Sequence, residues 1–329
     1  MSALVVVTDS DLPSDGVEER LLADAGHEAR RAACRSEQDV VDECAGASAL
    51  IVQWAPVSAR VLDALPGVRM ISRLGIGYDM IDVDAATERG VAVANTPDYC
   101  IEEVVCHTLA LVLDQARGVV ALDRAVRSGT WAAPASHPDA ARPSTTTVAV
   151  IGYGRIGAKV AAALRAIGFR VVVHDRYVSD RAIRDDGLVP AALGDALAAA
   201  DILTLHVPLS AETRHMIDAL ALTRMRPGAR LVNTCRGGLV DERALADALR
   251  VGHLAGAGLD VFEAEPPPAD SSLRSLPAVT LSPHAAWYSA AALADLPVQA
   301  TRQVVDFLAG RPVASIVNPE YTSAGRAAG

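Results

Sequence analysis

The feature that most constrains this chain is its rhythm. Short runs of β-branched and aliphatic residues alternate, from end to end, with longer stretches of Ala, Leu, Asp and Arg. A parallel strand covered on both faces reads as a continuous apolar run, and the amphipathic stretch that follows supplies its crossover helix. The pattern predicts repeated βα units, hence an α/β chain built on doubly wound parallel sheets. In the first part, strands are expected at Leu4 to Val7, Leu50 to Val52, Arg69 to Ser72 and Val91 to Ala94, with helices such as Val17 to Ala25 and Ser58 to Leu65 between them. Ile101 to Ser128 then reads as one long helix, apolar over most of its circumference and so expected to be buried all round, covered by another element or another subunit. Trp131 to Pro143 carries three prolines and reads as a loop. A second βα series follows, with strands at Thr147 to Ile151, Arg170 to His174, Ile202 to His206, Arg230 to Asn233, Ala255 to Asp260 and Val279 to Ser282. A last helix, from about Ser289 to Ala309, is expected to pack back on the first domain, ahead of a frayed tail from Thr322 to Gly329.

At 329 residues the chain has room for about two domains, each with its own core. A hydrophobic share of 51% with 21% charged residues excludes a disordered chain and a small stapled scaffold. The formal charge of -10 disfavours nucleic acid and acidic membranes as partners. The apolar run Ala3 to Val7 lacks a basic flank and reads as a strand, not a signal peptide. No helix-like run reaches the ~20 apolar residues a bilayer span needs. Cys34, Cys44, Cys100, Cys106 and Cys235 form no CxxC pair, and their odd number closes neither a disulfide framework nor a zinc site. A cytoplasmic protein without a metal is expected.

The sharpest local motif is Gly152-Tyr-Gly154-Arg155-Ile156-Gly157, which follows the strand-like Val148 to Ile151 and opens a helical stretch. Glycines there permit a tight turn and let backbone N–H groups at a helix N-terminus approach a pyrophosphate. Asp175 ends the next strand, where an acid can accept the ribose 2′-hydroxyl and repel a 2′-phosphate, which points to NAD. Arg176, its neighbour, could instead meet that phosphate. Three later segments put reactive side chains at strand ends: Arg236 in Asn233 to Glu242, Asp260 and Glu265 in Gly258 to Pro266, and His284 in Leu281 to Tyr288. An arginine to hold a carboxylate, an imidazole to supply a proton and a carboxylate to orient it would suit hydride transfer to a 2-keto acid.

These segments, with Arg73-Leu-Gly75-Ile76-Gly77 and Asn95 to Glu103, resemble the D-isomer-specific 2-hydroxyacid dehydrogenase family over nearly the whole chain. The string Pro283 to Ser289, which contains Trp287, resembles the branch of the C-terminal-binding proteins in particular. The resemblance implies two Rossmann-like domains, with an NAD-binding domain (100–289) inserted into a discontinuous substrate-binding domain (1–99 and 290–329). It implies a catalytic set of Arg236, Glu265 and His284. It places Gly152, Gly154, Arg155, Ile156, Gly157, Asp175, Val207, Pro208, Thr213, Thr234, Cys235, Asp260 and His284 at the cofactor, with Asp260 near the carboxamide. Backbone groups of Ile76 and Gly77, with Arg73, Arg236 and a Trp287 wall, would meet the substrate. The helix after Tyr99 would help form a homodimer.

The chain departs from the family at Ser144 to Thr147, where a Gly-Lys-Thr turn is common, and at Arg176, where a proline is common. Formate-type chemistry, which would place glutamine at Glu265, is not expected, nor is a regulatory extension. The expected activity is interconversion of a 2-keto acid and its D-2-hydroxy acid. The branch also admits an NAD(H)-sensing, corepressor-like scaffold with little turnover. His206 reads as a packed strand-end histidine or a cofactor contact, His107 as structural, and Cys235 as an ordinary small residue or a reactive thiol.

Overall fold

The computed structural model describes residues 2–13, 15–132 and 140–324. The chain divides into two units, Met1–Cys100 with Tyr288–Gly329, and Ile101–Trp287.

The first unit holds β1 (Leu4–Val7), β2 (Glu28–Arg31), β3 (Ala49–Val52), β4 (Met70–Arg73) and β5 (Ala92–Ala94) in a parallel sheet of order β2-β1-β3-β4-β5. β3, β4 and β5 are buried throughout; β3 and β5 read as unbroken apolar runs for that reason, while β4 ends on the buried polar Ser72 and Arg73. β2, Glu-Ala-Arg-Arg, has no such signature. It lies at the sheet edge with alternating exposed and half-buried residues, so it needs no apolar run. Helix Ala290–Leu308 belongs to this unit. Its N-cap Ser289 accepts the Ala292 N–H at 3.0 Å, and its Ala300 carbonyl accepts the Ser72 hydroxyl of β4 at 3.0 Å.

The second unit holds β6 (Thr147–Ile151), β7 (Arg170–His174), β8 (Val189–Pro190), β9 (Ile202–Leu205), β10 (Ala229–Asn233), β11 (Leu254–Leu259) and β12 (Val279–Leu281). All pair in parallel, in the order β12-β11-β10-β9-β6-β7-β8. The chain starts this sheet at β6 and winds outward first on one side, then on the other, so the loops after β6 and β9 diverge. That is the switch point at which open α/β sheets bind ligands.

The long helix expected over Ile101 to Ser128 is two helices, Ile101–Arg117 and Val119–Arg127, bent by 62°. Gly118 takes φ 67°, and the Asp114 carboxylate accepts the Val120 N–H at 2.8 Å, which starts the second helix afresh. Within the single chain the two helices are not buried all round. The first helix buries Val104, Thr108, Leu111 and Val112 but exposes Glu102, Cys106 and Ala110; the second buries no residue and leaves Val119 60% and Val126 52% exposed. Of the expected loop and tail, residues 133–139 and 325–329 lie outside the described residues, and Tyr321–Ala324 is a short helix where fraying was expected. Pro143–Thr145 forms a 3₁₀ turn at the departure from the family pattern. Among the described residues, no single helix is long and apolar enough to cross a membrane.

Candidate active site

Three strand ends of the second unit converge. After β10, the Asn233 side chain locks the turn: its Oδ1 accepts the Cys235 N–H at 3.0 Å and its Nδ2 donates to the Arg236 carbonyl at 2.8 Å. Gly237 then lies hard against the loop after β11, where an added Cβ would sit 1.8 Å from the Phe262 carbonyl carbon. Only glycine lets the Arg236 turn abut the loop that carries Glu265. Glu265 Oε1 accepts the Phe262 N–H at 2.9 Å, while its Oε2 lies 2.6 Å from His284 Nδ1. His284 takes φ 51°, a left-handed conformation that costs a non-glycine residue about 1–3 kcal/mol. Its surroundings hold it there. Its N–H donates to the Asp260 carbonyl at 2.8 Å, and the fully buried Asp260 carboxylate accepts the Ala285 and Ala286 N–H groups at 2.9 Å and the Ser282 hydroxyl at 2.6 Å.

Burial pushes the Glu265 carboxyl up, but the bond and charge of His284, the Phe262 N–H and the Arg236 guanidinium outweigh it and hold the group below the usual glutamate range. An ionised carboxylate can only accept, so His284 Nδ1 carries the proton of this pair and Nε2 is the nitrogen suited to proton transfer. Cys235 donates its thiol to the Leu205 carbonyl at 2.9 Å, and burial pushes its pKa up to about 12. That thiol stays protonated and unreactive.

At the switch point, Gly152 takes φ 101°, and an added Cβ would lie 2.4 Å from the His206 carbonyl oxygen; one on Gly157 would lie 2.1 Å from the Gly152 carbonyl oxygen. Only glycine lets this turn pack so closely on itself and on the end of β9, and the turn opens helix Arg155–Ile167 at Gly154. Asp175 stands beside it. Burial works to raise its carboxyl, but the N–H groups of Tyr153 (2.7 Å), Val178 (2.9 Å) and Tyr177 (2.7 Å) hold it below its ordinary value. Arg176 pairs with Glu212 and faces the Tyr177 ring at 5.8 Å. In the loop after β9, the Thr213 hydroxyl bonds the Pro208 carbonyl at 2.7 Å, closing the turn that carries Val207. His206 bonds Thr204 at 3.0 Å, and burial pushes its pKa down to about 3, so it is neutral.

In the first unit, Arg73 is buried at the end of β4, with its guanidinium 5.2 Å from the Trp54 ring centroid. The Ile76 carbonyl accepts the Asn95 amide at 2.8 Å, which fixes the loop that carries Gly77.

A model of the D-isomer specific 2-hydroxyacid dehydrogenase NAD binding domain matches residues 109–286. The chain belongs to the D-isomer-specific 2-hydroxyacid dehydrogenase family. It is 40% identical to the glyoxylate reductase of Korarchaeum cryptofilum over 268 residues, 80% of each chain. It is 44% identical over 239 residues to the D-3-phosphoglycerate dehydrogenase of Mycobacterium tuberculosis, covering 72% of this chain but only 45% of that relative's length. Among solved structures, the D-lactate dehydrogenase of Aquifex aeolicus, complexed with NAD and lactic acid, superposes with a TM-score of 0.83 at 28% identity, covering 93% of this chain and 96% of that one. The family's cofactor, NAD, fits the residues present: a close-packed glycine turn at a helix N-terminus and an ionised acid at the next strand end.

Several side chains at this site carry no sequence signal. Glu242 and Glu263 brace the Glu265 loop reciprocally: the Glu263 N–H donates to the Glu242 carboxylate at 2.6 Å and the Glu242 N–H to the Glu263 carboxylate at 3.1 Å. His107 and Ser282 meet at 2.9 Å across 175 positions of chain, a contact no local pattern announces. Among the described residues, no group of His, Cys, Asp and Glu could hold a metal ion.

Proposed function

We propose that this protein is an NAD-dependent D-2-hydroxyacid dehydrogenase that reduces 2-keto acids with an apolar side chain. The observation that carries this is the 2.6 Å Glu265–His284 pair, set beside the Arg236 turn on a family-typical NAD-binding domain. When bound, NADH supplies the hydride, which goes to the keto carbon of the substrate. His284 gives the Nε2 proton to the developing alkoxide, so one hydride and one proton convert the carbonyl to a hydroxyl. Glu265 orients the imidazole. Arg236 holds the substrate carboxylate through a bidentate fork and polarises the carbonyl. Arg73 and the backbone of Ile76 and Gly77 would also meet the substrate, and the Trp287 ring would form an apolar wall.

For the cofactor, Gly152, Gly154, Arg155, Ile156 and Gly157 would cradle the pyrophosphate and Asp175 would hold the ribose. Val207, Pro208, Thr213, Thr234, Cys235 and Asp260 would line the rest. The segments 1–99 and 290–329 form the substrate-binding domain and 100–289 the inserted NAD-binding domain. Val119 and Val126, exposed on the second helix together with Trp131 at 89%, suit a face of a homodimer. Five free cysteines suit the reducing cytoplasm.

A screen of 2-keto acids with NADH and with NADPH tests the reading. Turnover above one per second on an apolar keto acid with NADH supports it. Tight NADH binding with turnover only at millimolar keto acid and far below one per second would overturn it. That result would favour the nucleotide-sensing scaffold of the C-terminal-binding branch, to which the Pro283 to Ser289 string is similar.

A further inference from the structure

Helix Ile101–Arg117 carries two adjacent polar side chains that reach two different strand-end loops. The Thr108 hydroxyl lies 2.8 Å from that of Thr234, two residues before Arg236, and His107 Nε2 lies 2.9 Å from the Ser282 hydroxyl, two residues before His284. The helix is clamped over β11, where the Gln115 amide donates to the Ala257 carbonyl at 3.1 Å.

The direction of the bonds around Ser282 is fixed by elementary valence. A hydroxyl has one proton, and Ser282 spends it on Asp260 Oδ1 at 2.6 Å, so toward His107 it can only accept. His107 therefore carries its proton on Nε2, which also lies 3.6 Å from Asp260 Oδ1. Asp260 in turn accepts the Ala285 and Ala286 N–H groups and so holds the turn in which His284 is kept left-handed.

We propose that His107 is a positioning residue: through its Nε2–H, Ser282 and Asp260, it holds the 282–286 turn so that the His284 imidazole faces the reacting carbonyl. Orientation is the quantity at stake. A proton donor displaced by about an ångström can lose roughly a hundred-fold in rate while every binding contact survives. Thr108 performs the matching task for the Arg236 turn, so one helix registers both turns. The part of this inference that concerns the carbonyl rests on the dehydrogenase function proposed above; the part that concerns the His284 turn does not.

The test uses the full chain with His107→Leu, which removes the donor, and His107→Gln, whose amide N–H can still reach Ser282. The leucine variant is expected to lose ten-fold or more in kcat for keto-acid reduction, with the NADH dissociation constant within about two-fold of wild type. The glutamine variant should recover most of that loss. An unchanged kcat in the leucine variant, equal losses in both variants, or a parallel loss of NADH affinity would overturn the proposal. A second measurement is independent of turnover. The imidazole NMR resonance of His284, assigned by its disappearance in His284→Gln, should shift in the leucine variant and return in the glutamine variant. Its staying fixed in both would overturn the positioning role. A wild type that reduces no keto acid, with the resonance responding as described, would sink the dehydrogenase function and leave the positioning role standing.

Discussion

Two ion pairs of the second unit make opposite use of charge. Glu265 and His284 are side chains 31% and 21% exposed, tied down by the Phe262 N–H on one side and the Asp260-centred turn on the other. Arg176 and Glu212 are 66% and 64% exposed, and their pair has no comparable frame. A charge that is partly withdrawn from water and bonded on several sides acts through geometry, so removing it should have a large and directional effect. A surface pair is screened and worth about 0–1 kcal/mol, so its removal should only tilt a preference. The lesson is that like-looking Arg, His and Glu pairs must be ranked by what surrounds them. The following variants test that ranking, beginning with the greatest effect.

Loss of the imidazole comes first. His284→Ala should lower keto-acid reduction by roughly 10² to 10⁴, the usual worth of a positioned general acid, while NADH binding stays near wild type. Steady-state kinetics with a fluorescence titration of NADH checks both halves. Near-normal turnover would remove the Glu265–His284 pair from the reaction and break the comparison at its strong end. Arg236→Ala should also abolish turnover, and should in addition weaken keto-acid inhibitors of the NADH complex.

Next comes the partner carboxylate. Glu265 is held below the usual glutamate range, so it is ionised at neutral pH and the pair is lost only when acid protonates the carboxyl. That loss should appear as an acid limb of the wild-type reduction profile, lying below the usual glutamate range, and be absent in Glu265→Gln, whose amide does not titrate. Superimposable limbs in the two proteins would show that the 2.6 Å contact does not couple to proton transfer.

A smaller effect belongs to Trp287, a half-buried ring three residues beyond His284. Each methylene buried against it is worth about 0.8 kcal/mol, so a larger apolar keto acid should be preferred over pyruvate by roughly ten-fold. Trp287→Ala should cost the larger substrates most of that advantage and pyruvate little. Comparing kcat/KM across the series cancels any loss of active enzyme, and an equal loss on all substrates would make the ring structural.

Much of this arrangement is legible in the sequence because it depends on local rules. The runs at Leu4 to Val7, Thr147 to Ile151 and Arg170 to His174 coincide with β1, β6 and β7, since buried parallel strands announce themselves by composition. Gly152 and Gly157 are legible for a similar reason, because a side chain at either position would collide with backbone. The break at Gly118 was not, because a single glycine in an apolar stretch is tolerated in many helices and only Asp114 folding back on Val120 decides it. Nor was the tie between His107 and Ser282, or the capture of Arg176 by Glu212, 36 residues away. Such contacts depend on which loops the sheet order brings together, and no local period encodes that order.

The capture of Arg176 gives the smallest expected effect and the most sensitive check on the weak end of the comparison. The sequence left Arg176 as a candidate for a ribose 2′-phosphate. The structure ties it to Glu212, next to an Asp175 carboxylate kept ionised by three backbone N–H groups. If Asp175 holds the ribose as proposed, two carboxylates there would repel a 2′-phosphate, and the Arg176 guanidinium is engaged by Glu212. Glu212→Gln removes a repelling charge and releases the arginine together, leaving Asp175 and its backbone bonds in place. Because the pair is exposed, the gain should stay within about 1 kcal/mol, so NADPH should bind two- to five-fold more tightly and NADH within two-fold of wild type. The improvement should shrink as salt rises, because screening acts on exposed charges first. Titrating both nucleotides at low and high ionic strength measures this without any turnover. A ten-fold or larger gain that persists in high salt would mean that the Arg176–Glu212 pair is shielded as well as Glu265–His284, and exposure would no longer explain how the two regions differ.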